Sequence, residues 1–534
     1  MLLFILSVFF LAPLTLARGS GQQRAKVLFL TNSERGQSSV HLATAHTLLC
    51  DYSDAIDVHF ATFDELAPVV AQVSRQASSD ADRRITFHPV RGSPYKKSIY
   101  DRGAHLETAR HGTGVWGAER LFWLIQVGLI PWTGAEYIEI ANNIRAIVEE
   151  VQPDLAVIDT FYSPAVDAVE AAMGNGSHVM LSPNDLKDLL AAVHPHVGAL
   201  WKYPVVGSGF PYPLPWYLIP ANIYICLRMG YAISSGPAIK EFKSYLRSQN
   251  YSIHEPMFHF VHPAVPMLVA SSLEIEYPMS VPKQVSPVGP IFMALESAEK
   301  EDPDLVAWLA RAPTVLIILG SHTTYDEHDA TEMIRAIRMV LDRNDQVQVL
   351  WKLKIPDDGS KSARKEDVDA LLVTGRVRIE SWFKADPASL LATGHIVAYV
   401  NHGGANSYFE AMGPRTGVPQ VALAMWADCY DHATRVEWLG IGVWGNRQAA
   451  PYWTGEEASQ AILKVISDSS YAEKAKTLVK PKEQQGRYVA ARKIAEWAEA
   501  NRNRRLDALG ADAHGAEQQI PIQMGSKRTA SDEL

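Results

Sequence analysis

The stretch Asn401-His402-Gly403-Gly404-Ala405-Asn406-Ser407 constrains this chain more than any other. Before it, Val397 to Val400 is short, apolar and β-prone; after it, residues 408–412 read as the opening of a helix. A turn of this kind joins a buried strand to a helix N-terminus, where backbone N–H groups lack intrahelical partners. Gly403 and Gly404 let that backbone approach a ligand closely, and the converging amides favour an anion such as pyrophosphate. His402, Asn406 and Ser407 add side-chain donors. Glu410, one turn further on, would repel phosphate but can accept hydrogen bonds from two adjacent hydroxyls, such as those of a ribose. The expected ligand is a nucleotide. A plain strand-turn-helix in which His402 and Glu410 merely pack is the alternative.

Beyond the turn, Gly417-Val418-Pro419 leads into a predicted strand over 421–425, with Asp428 at its carboxyl end and a helix expected from Tyr430. The spacing of His402, Gly404, Asn406, Ser407 and Glu410, followed by Gly417-Val418-Pro419 and Asp428, resembles the donor-site signature of the family 1 UDP-dependent glycosyltransferases. That resemblance runs over most of the chain and is strongest from 321 to 445. It implies an α/β protein of two facing Rossmann-like domains, the B-type glycosyltransferase fold, with donor and acceptor meeting in the cleft between them. It also implies that Ser321 touches phosphate and that Trp382 stacks on uracil; from residue type alone, Trp382 reads equally well as a packed loop aromatic.

With 534 residues, the chain is long enough for at least two domains. Lys and Arg total 50 against 59 Asp and Glu, an acidic balance that argues against nucleic acid as a partner. Three widely spaced cysteines, Cys50, Cys226 and Cys429, exclude a disulfide framework and a cysteine zinc site. No metal and no cofactor are expected, the UDP-sugar being a co-substrate. No lysine is marked out for the Schiff base of a pyridoxal phosphorylase sharing this architecture.

Residues 1–17 read as a signal peptide with an apolar core at 2–16, an uncleaved anchor or an ordinary apolar N-terminus being the alternatives. Sequons at Asn175 and Asn250, and the terminal Ser531-Asp532-Glu533-Leu534, which departs from the ER-retrieval tetrapeptide at its first position, suit the ER lumen, with secretion as second choice. An N-terminal acceptor domain is expected over 25–285, a linker over 286–305, a UDP-sugar domain over 306–470, closing helices over 471–505 and a disordered tail over 506–534. Strands are predicted at 25–31, 56–61, 84–89, 155–159 and 264–274, then at 314–319, 347–353 and 377–379. An aromatic-rich helical insert at 106–148 is expected over the first sheet. Residues 203–236, rich in Pro, Gly and aromatics, suit a hydrophobic acceptor channel, peripheral contact with a membrane, or ordinary packing on the core, and point to a hydrophobic small-molecule or lipid acceptor.

The first loop departs from the resemblance. Most family members carry a His after the glycine there; this chain has Gly36-Gln37, and an amide takes no proton at neutral pH. Gln37 is left to orient the acceptor. His41, one turn on, reads as a base or as a packed histidine, and Asp159, at the end of a buried strand, is the stronger candidate for general base. Inverting transfer of a hexose, with UDP-glucose expected as donor, is the implied activity. The alternative is an inactive sugar-nucleotide or glycan binder on the same fold.

Overall fold

The computed structural model describes residues 23–517 apart from 175–176, 252–260, 294–295, 321–322, 324, 355–364 and 414–416. The proposed signal peptide, Asn175, Ser321 and the terminal tetrapeptide lie outside the described residues.

Continuous apolar runs such as Ala25-Lys26-Val27-Leu28-Phe29-Leu30 suit strands covered on both faces, and such strands assemble in parallel. Seven do so in the first half: β1 (Ala25–Leu30), β2 (Ile56–Thr62), β3 (Thr86–Pro89), β4 (Leu155–Asp159), β5 (His178–Ser182), β6 (Met267–Val269) and β7 (Val285–Pro287). Six follow in the second: β8 (Thr314–Ile318), β9 (Gln348–Lys352), β10 (Val377–Glu380), β11 (Ile396–Asn401), β12 (Gln420–Ala422) and β13 (Gly442–Trp444). The sheet orders are β3-β2-β1-β4-β5-β6-β7 and β10-β9-β8-β11-β12-β13, every pairing parallel. Strand order reverses between β1 and β4 and between β8 and β11, so the loops leaving those four strands open a crevice in each half, where doubly wound sheets bind ligands.

The helices that position the site are α1 (Arg35–Tyr52), α2 (Gly114–Leu129), α3 (Leu186–Leu189), α4 (Gly198–Trp201), α5 (Ile219–Ser235), α6 (Ala405–Glu410), α7 (Ala427–Trp438) and α8 (Gly486–Glu517). Each sheet has a packed apolar cluster on both faces; Leu28, Ile144 and Ile158 belong to one cluster of the first half, Phe29, Leu48 and Val157 to another.

The closing helix α8 returns to the first half. Ala490, Ala491, Ile494, Ala495 and Ala498 are buried there with α1 and the first sheet, and Asn501 and Arg502 hydrogen-bond the Asp154 and Gln23 carbonyls at 2.9 and 2.8 Å. The second sheet is therefore inserted between two parts of the first half. The outgoing and returning chains touch: a Cβ placed on Gly486 would lie 2.1 Å from the Gly289 carbonyl oxygen.

Several local expectations shift. Helix α6 opens at Ala405 rather than Tyr408, so Asn406 and Ser407 belong to its first turn. Asp428 sits in the first turn of α7 rather than at a strand end. The strand expected over 264–274 shrinks to Met267–Val269; β7 and β13 have three residues each, too few for a period, and the five-residue β5 is not among the predicted strands. In the region read as a linker, β7 ends at Pro287, and helices Ala298–Glu301 and Pro303–Leu309 send Ala298, Leu305 and Leu309 into the core of the second half. The tail expected to be disordered from 506 continues as helix to Glu517, where Leu and Ala outweigh two glycines.

Candidate active site

A cavity of about 890 Å³ is bounded by loops and helices of both halves. On the side of the second sheet its wall is the turn between β11 and α6. Asn401, fully buried, accepts the Gly403 N–H at 2.8 Å and anchors through its amide to Gln420 at 3.0 Å, which fixes the turn from beneath. Gly403 has φ +81°, and a Cβ there would meet the Cys429 carbonyl at 2.7 Å; one on Gly404 would strike the His402 ring at 2.4 Å. Gly403 is therefore required by conformation and close approach, and Gly404 by close approach alone. No side chain caps α6, so its first-turn amides face the cavity beside His402, Asn406 and Ser407. A six-residue helix has a small dipole; the local amides supply most of the positive field.

Glu410 lies at the far end of α6, nearly buried, and burial together with nearby Asp386 pushes its carboxyl up to about 7. Trp382, at the edge of the cavity, is 51 % exposed, with the Lys352 ammonium 3.7 Å from its ring centroid. Asp428 borders the same space, raised to about 6 by burial. The structure thus gathers His402, Gly404, Asn406, Ser407, Glu410, Trp382 and Asp428 around one cavity. Cys429 is fully buried, its carbonyl packed against Gly403.

Behind the turn, charged groups join the halves. His432 of α7 gives Nδ1 to the Gly403 carbonyl at 2.7 Å and Nε2 to Asp185 at 3.0 Å. Both ring nitrogens face acceptors, so both donate and the ring is an imidazolium; burial opposes that charge and Asp185 outweighs it, raising the His432 pKa. Arg435 bonds Asp185 at 3.0 Å and reaches Glu276 at 3.3 Å, while Lys187 pairs with Asp431 at 3.1 Å. Burial pushes Asp185 up, but Arg435 and His432 overcome it and hold the carboxylate well below its usual range. Asp185, Lys187 and Glu276 come from the first half, and Asp431, His432 and Arg435 from the second.

The opposing wall is the start of α1. Gln37 lines the cavity and donates to Asn184 at 3.2 Å, which in turn donates to Thr160 and Ser182. The two residues expected to act as bases lie elsewhere. His41 is fully buried edge-on to Phe29, neither ring nitrogen has a hydrogen-bond partner among the described residues, and burial drives its pKa down to about 3. It is a packed histidine. Asp159 is enclosed beneath the loop, accepting from Thr31, Asn32 and Phe161 at 3.0, 3.0 and 2.9 Å, and it does not border the cavity. Burial raises it to about 7, yet no acceptor in the cavity can touch it; Asp159 braces the loop.

Comparison with known proteins follows the same lines. The profile described as UDP-glucoronosyl and UDP-glucosyl transferase matches residues 240–485. "Glycosyltransferase sdnJ" of Sordaria araneosa is 36 % identical over 472 residues, 83 % of this chain and 90 % of that protein. The chain belongs to the UDP-glucuronosyl and UDP-glucosyl transferase family. It is also 25 % identical over 327 residues to a 2-hydroxyacylsphingosine 1-beta-galactosyltransferase of Rattus norvegicus, 56 % of this chain and 54 % of that one. A UDP-glucosyltransferase from Polygonum tinctorium shares the fold, with a TM-score of 0.61 at 15 % identity over 90 % of this chain and all of the other.

This UDP-glycosyltransferase has further residues in its cleft that sequence reading did not single out. Lys352 ends β9, a position the strand pattern marked but residue type did not; burial, Arg35 and Lys354 lower it to about 8. Arg35, in the first turn of α1, approaches Asp386 across the cleft at 3.9 Å. Glu34 accepts the Gln37 N–H at 3.0 Å and borders the cavity from the same loop. His432 could have been suspected from its place one turn after Asp428.

Proposed function

We propose that the enzyme transfers a hexose, with UDP-glucose as donor, to a hydroxyl of a hydrophobic small-molecule or lipid acceptor, inverting the anomeric centre. One observation carries this reading: the cavity that holds the donor turn is also lined by Leu124, Ile125, Met229 and Ile233, an apolar stretch of its wall. The acceptor oxygen attacks the anomeric carbon as the bond to UDP breaks. The α6 amides with His402, Asn406 and Ser407 meet the charge on the departing pyrophosphate, while Glu410 holds the ribose and Asp428 the sugar hydroxyls. No resident cofactor has a part in this sequence. Glu34 takes the acceptor's proton, being a carboxylate at the cavity wall, held there by the Gln37 N–H, in the loop whose next residue reaches the donor side. The sphingolipid galactosyltransferase among the relatives supports a lipid acceptor.

The experiment is transfer by the purified protein from a panel of UDP- and GDP-sugars to a lipid extract, with products read by mass spectrometry. A hexosylated lipid or aromatic alcohol formed from UDP-glucose is expected. Preference for another donor overturns the glucose assignment, and tight UDP binding without transfer to any acceptor overturns the enzymatic reading. We place the protein in the ER lumen, with secretion second, on the strength of residues 2–16 and 531–534 and of an exposed Asn250. Full-length protein in the cytosol without glycan at Asn250 would contradict this.

A further inference from the structure

Helix α5 is apolar on both sides. Met229 and Ile233 face the cavity, and Ile225, Met229 and Ala232 pack with Leu121 and Phe122 of α2. Its outer stripe is Tyr224, Leu227, Arg228 and Tyr231, at the spacing of one helical face. A surface helix ordinarily turns a polar face to water; here Leu227 is 62 % exposed and Tyr231 52 %. Trp216, 80 % exposed, and Tyr217 precede the helix, and α4, which carries the half-exposed Trp201, lies against it. Arg228 pairs with Glu119 of α2 at 2.9 Å, which brings Trp116, three residues earlier on the same face and 99 % exposed, to the edge of this surface.

Charge distinguishes the surface further. From 203 to 236 the chain has no Asp or Glu, and Arg228 is its sole charged side chain, in a protein with 59 acidic residues and a net charge of −9; the neighbouring α2 carboxylate, Glu119, is neutralised in its pair with Arg228. A protein partner or a second copy requires no such clearance of carboxylates. An anionic lipid surface repels carboxylates, and Trp and Tyr favour the boundary between head groups and acyl chains. Among the described residues no helix is long and apolar enough to cross a membrane, so contact is from the side.

We propose that Trp116, Trp201, Trp216, Tyr217, Leu227 and Tyr231 seat the enzyme in the interfacial layer of a bilayer, and that acceptors pass from that layer into the cavity beside α5. The route rests on the lipid-acceptor reading above; the docking does not. Flotation of the full chain with phosphatidylcholine vesicles containing one-fifth phosphatidylserine tests it without any acceptor. The wild type is expected to float. Trp216→Ser/Tyr217→Ser/Leu227→Ser is expected to lose at least about tenfold in partitioning, and Leu227→Asp, which adds one exposed carboxylate, to lose a smaller factor. Unchanged UDP affinity in both variants shows that they are folded. A wild type that stays with the soluble fraction, or a dimer in light scattering that the triple variant dissociates without vesicle binding, would overturn the docking. Flotation without hexosylation of any lipid leaves the docking standing and removes only the acceptor reading.

Discussion

The two walls of the cleft are built differently. On the donor side, one contiguous segment from Asn401 to Glu410 supplies the turn, its amides and most of its side chains, so geometry follows from local sequence. On the acceptor side, Glu34 with Gln37, then Leu124, Asn184 and Met229 come from four separate segments, and their meeting depends on how the first sheet and its helices pack. Short-range chemistry is readable where one turn does the work. Where the fold brings distant residues together, it is not.

Five positions test that contrast. The largest effect is expected on the acceptor side: Glu34→Gln should lower kcat by roughly 10²–10⁴-fold with UDP affinity unchanged. Asp159→Asn, which replaces one accepting carboxylate oxygen by an NH2 facing a donor, should instead lower stability by about 1–3 kcal/mol, visible as a fall in Tm. Equal kcat in Glu34→Gln and wild type would move the base elsewhere.

Next comes the join between the walls. Asp185→Asn leaves Arg435 and the His432 imidazolium short of their shared counter-ion, and breaking such a buried pair costs about 3–5 kcal/mol. Denaturant unfolding measures that loss, and because His432 also holds the Gly403 carbonyl, UDP titration should show weaker binding even under conditions where the variant is folded. Full UDP affinity in the folded variant would mean that the turn stands without the first half.

On the donor side, Glu410→Ala should cost about 1–3 kcal/mol of UDP binding by calorimetry. The pH dependence has a definite sign. Glu410 in the free enzyme has its pKa raised to about 7, and only the ionised form accepts from two hydroxyls, so below that value binding must first expel a proton. UDP affinity is expected to rise from pH 6 to pH 8 in the wild type and to stay flat in Glu410→Gln. A wild-type profile with no slope would remove Glu410 from the ribose. The smallest effect belongs to Trp382→Ala, about 0.5–1.5 kcal/mol from a lost stacking face, since Lys352 stands over one side of the ring.

The sheets show how far the sequence is legible. β1, β2, β4, β8 and β11 are apolar runs near their predicted places because both faces of these parallel strands are covered. β13 has three residues, Gly442 to Trp444, and no run of that length has a period. Asp159 was recognisable as a buried carboxylate at a strand end, but whether its oxygens face a cavity or the Thr31 and Asn32 side chains depends on a loop 127 residues away. His41 shows the same limit: its apolar neighbours left packing open, and only the contact with Phe29 decides it. Arg35, Asp386 and Lys352 carried no motif, and their relation exists only once two sheets face each other.

The touching glycines, Gly289 on the way out and Gly486 on the way back, make both connections between the halves pass one point. Two separated attachments would confine the halves to one hinge axis; a shared one fixes translation at that point and leaves rotation about it. Displacement then grows in proportion to distance from the joint. The Arg35 approach to Asp386 and the Asp185 bond to His432 would part in a single stroke, with the outer rim of the cleft tracing the widest arc.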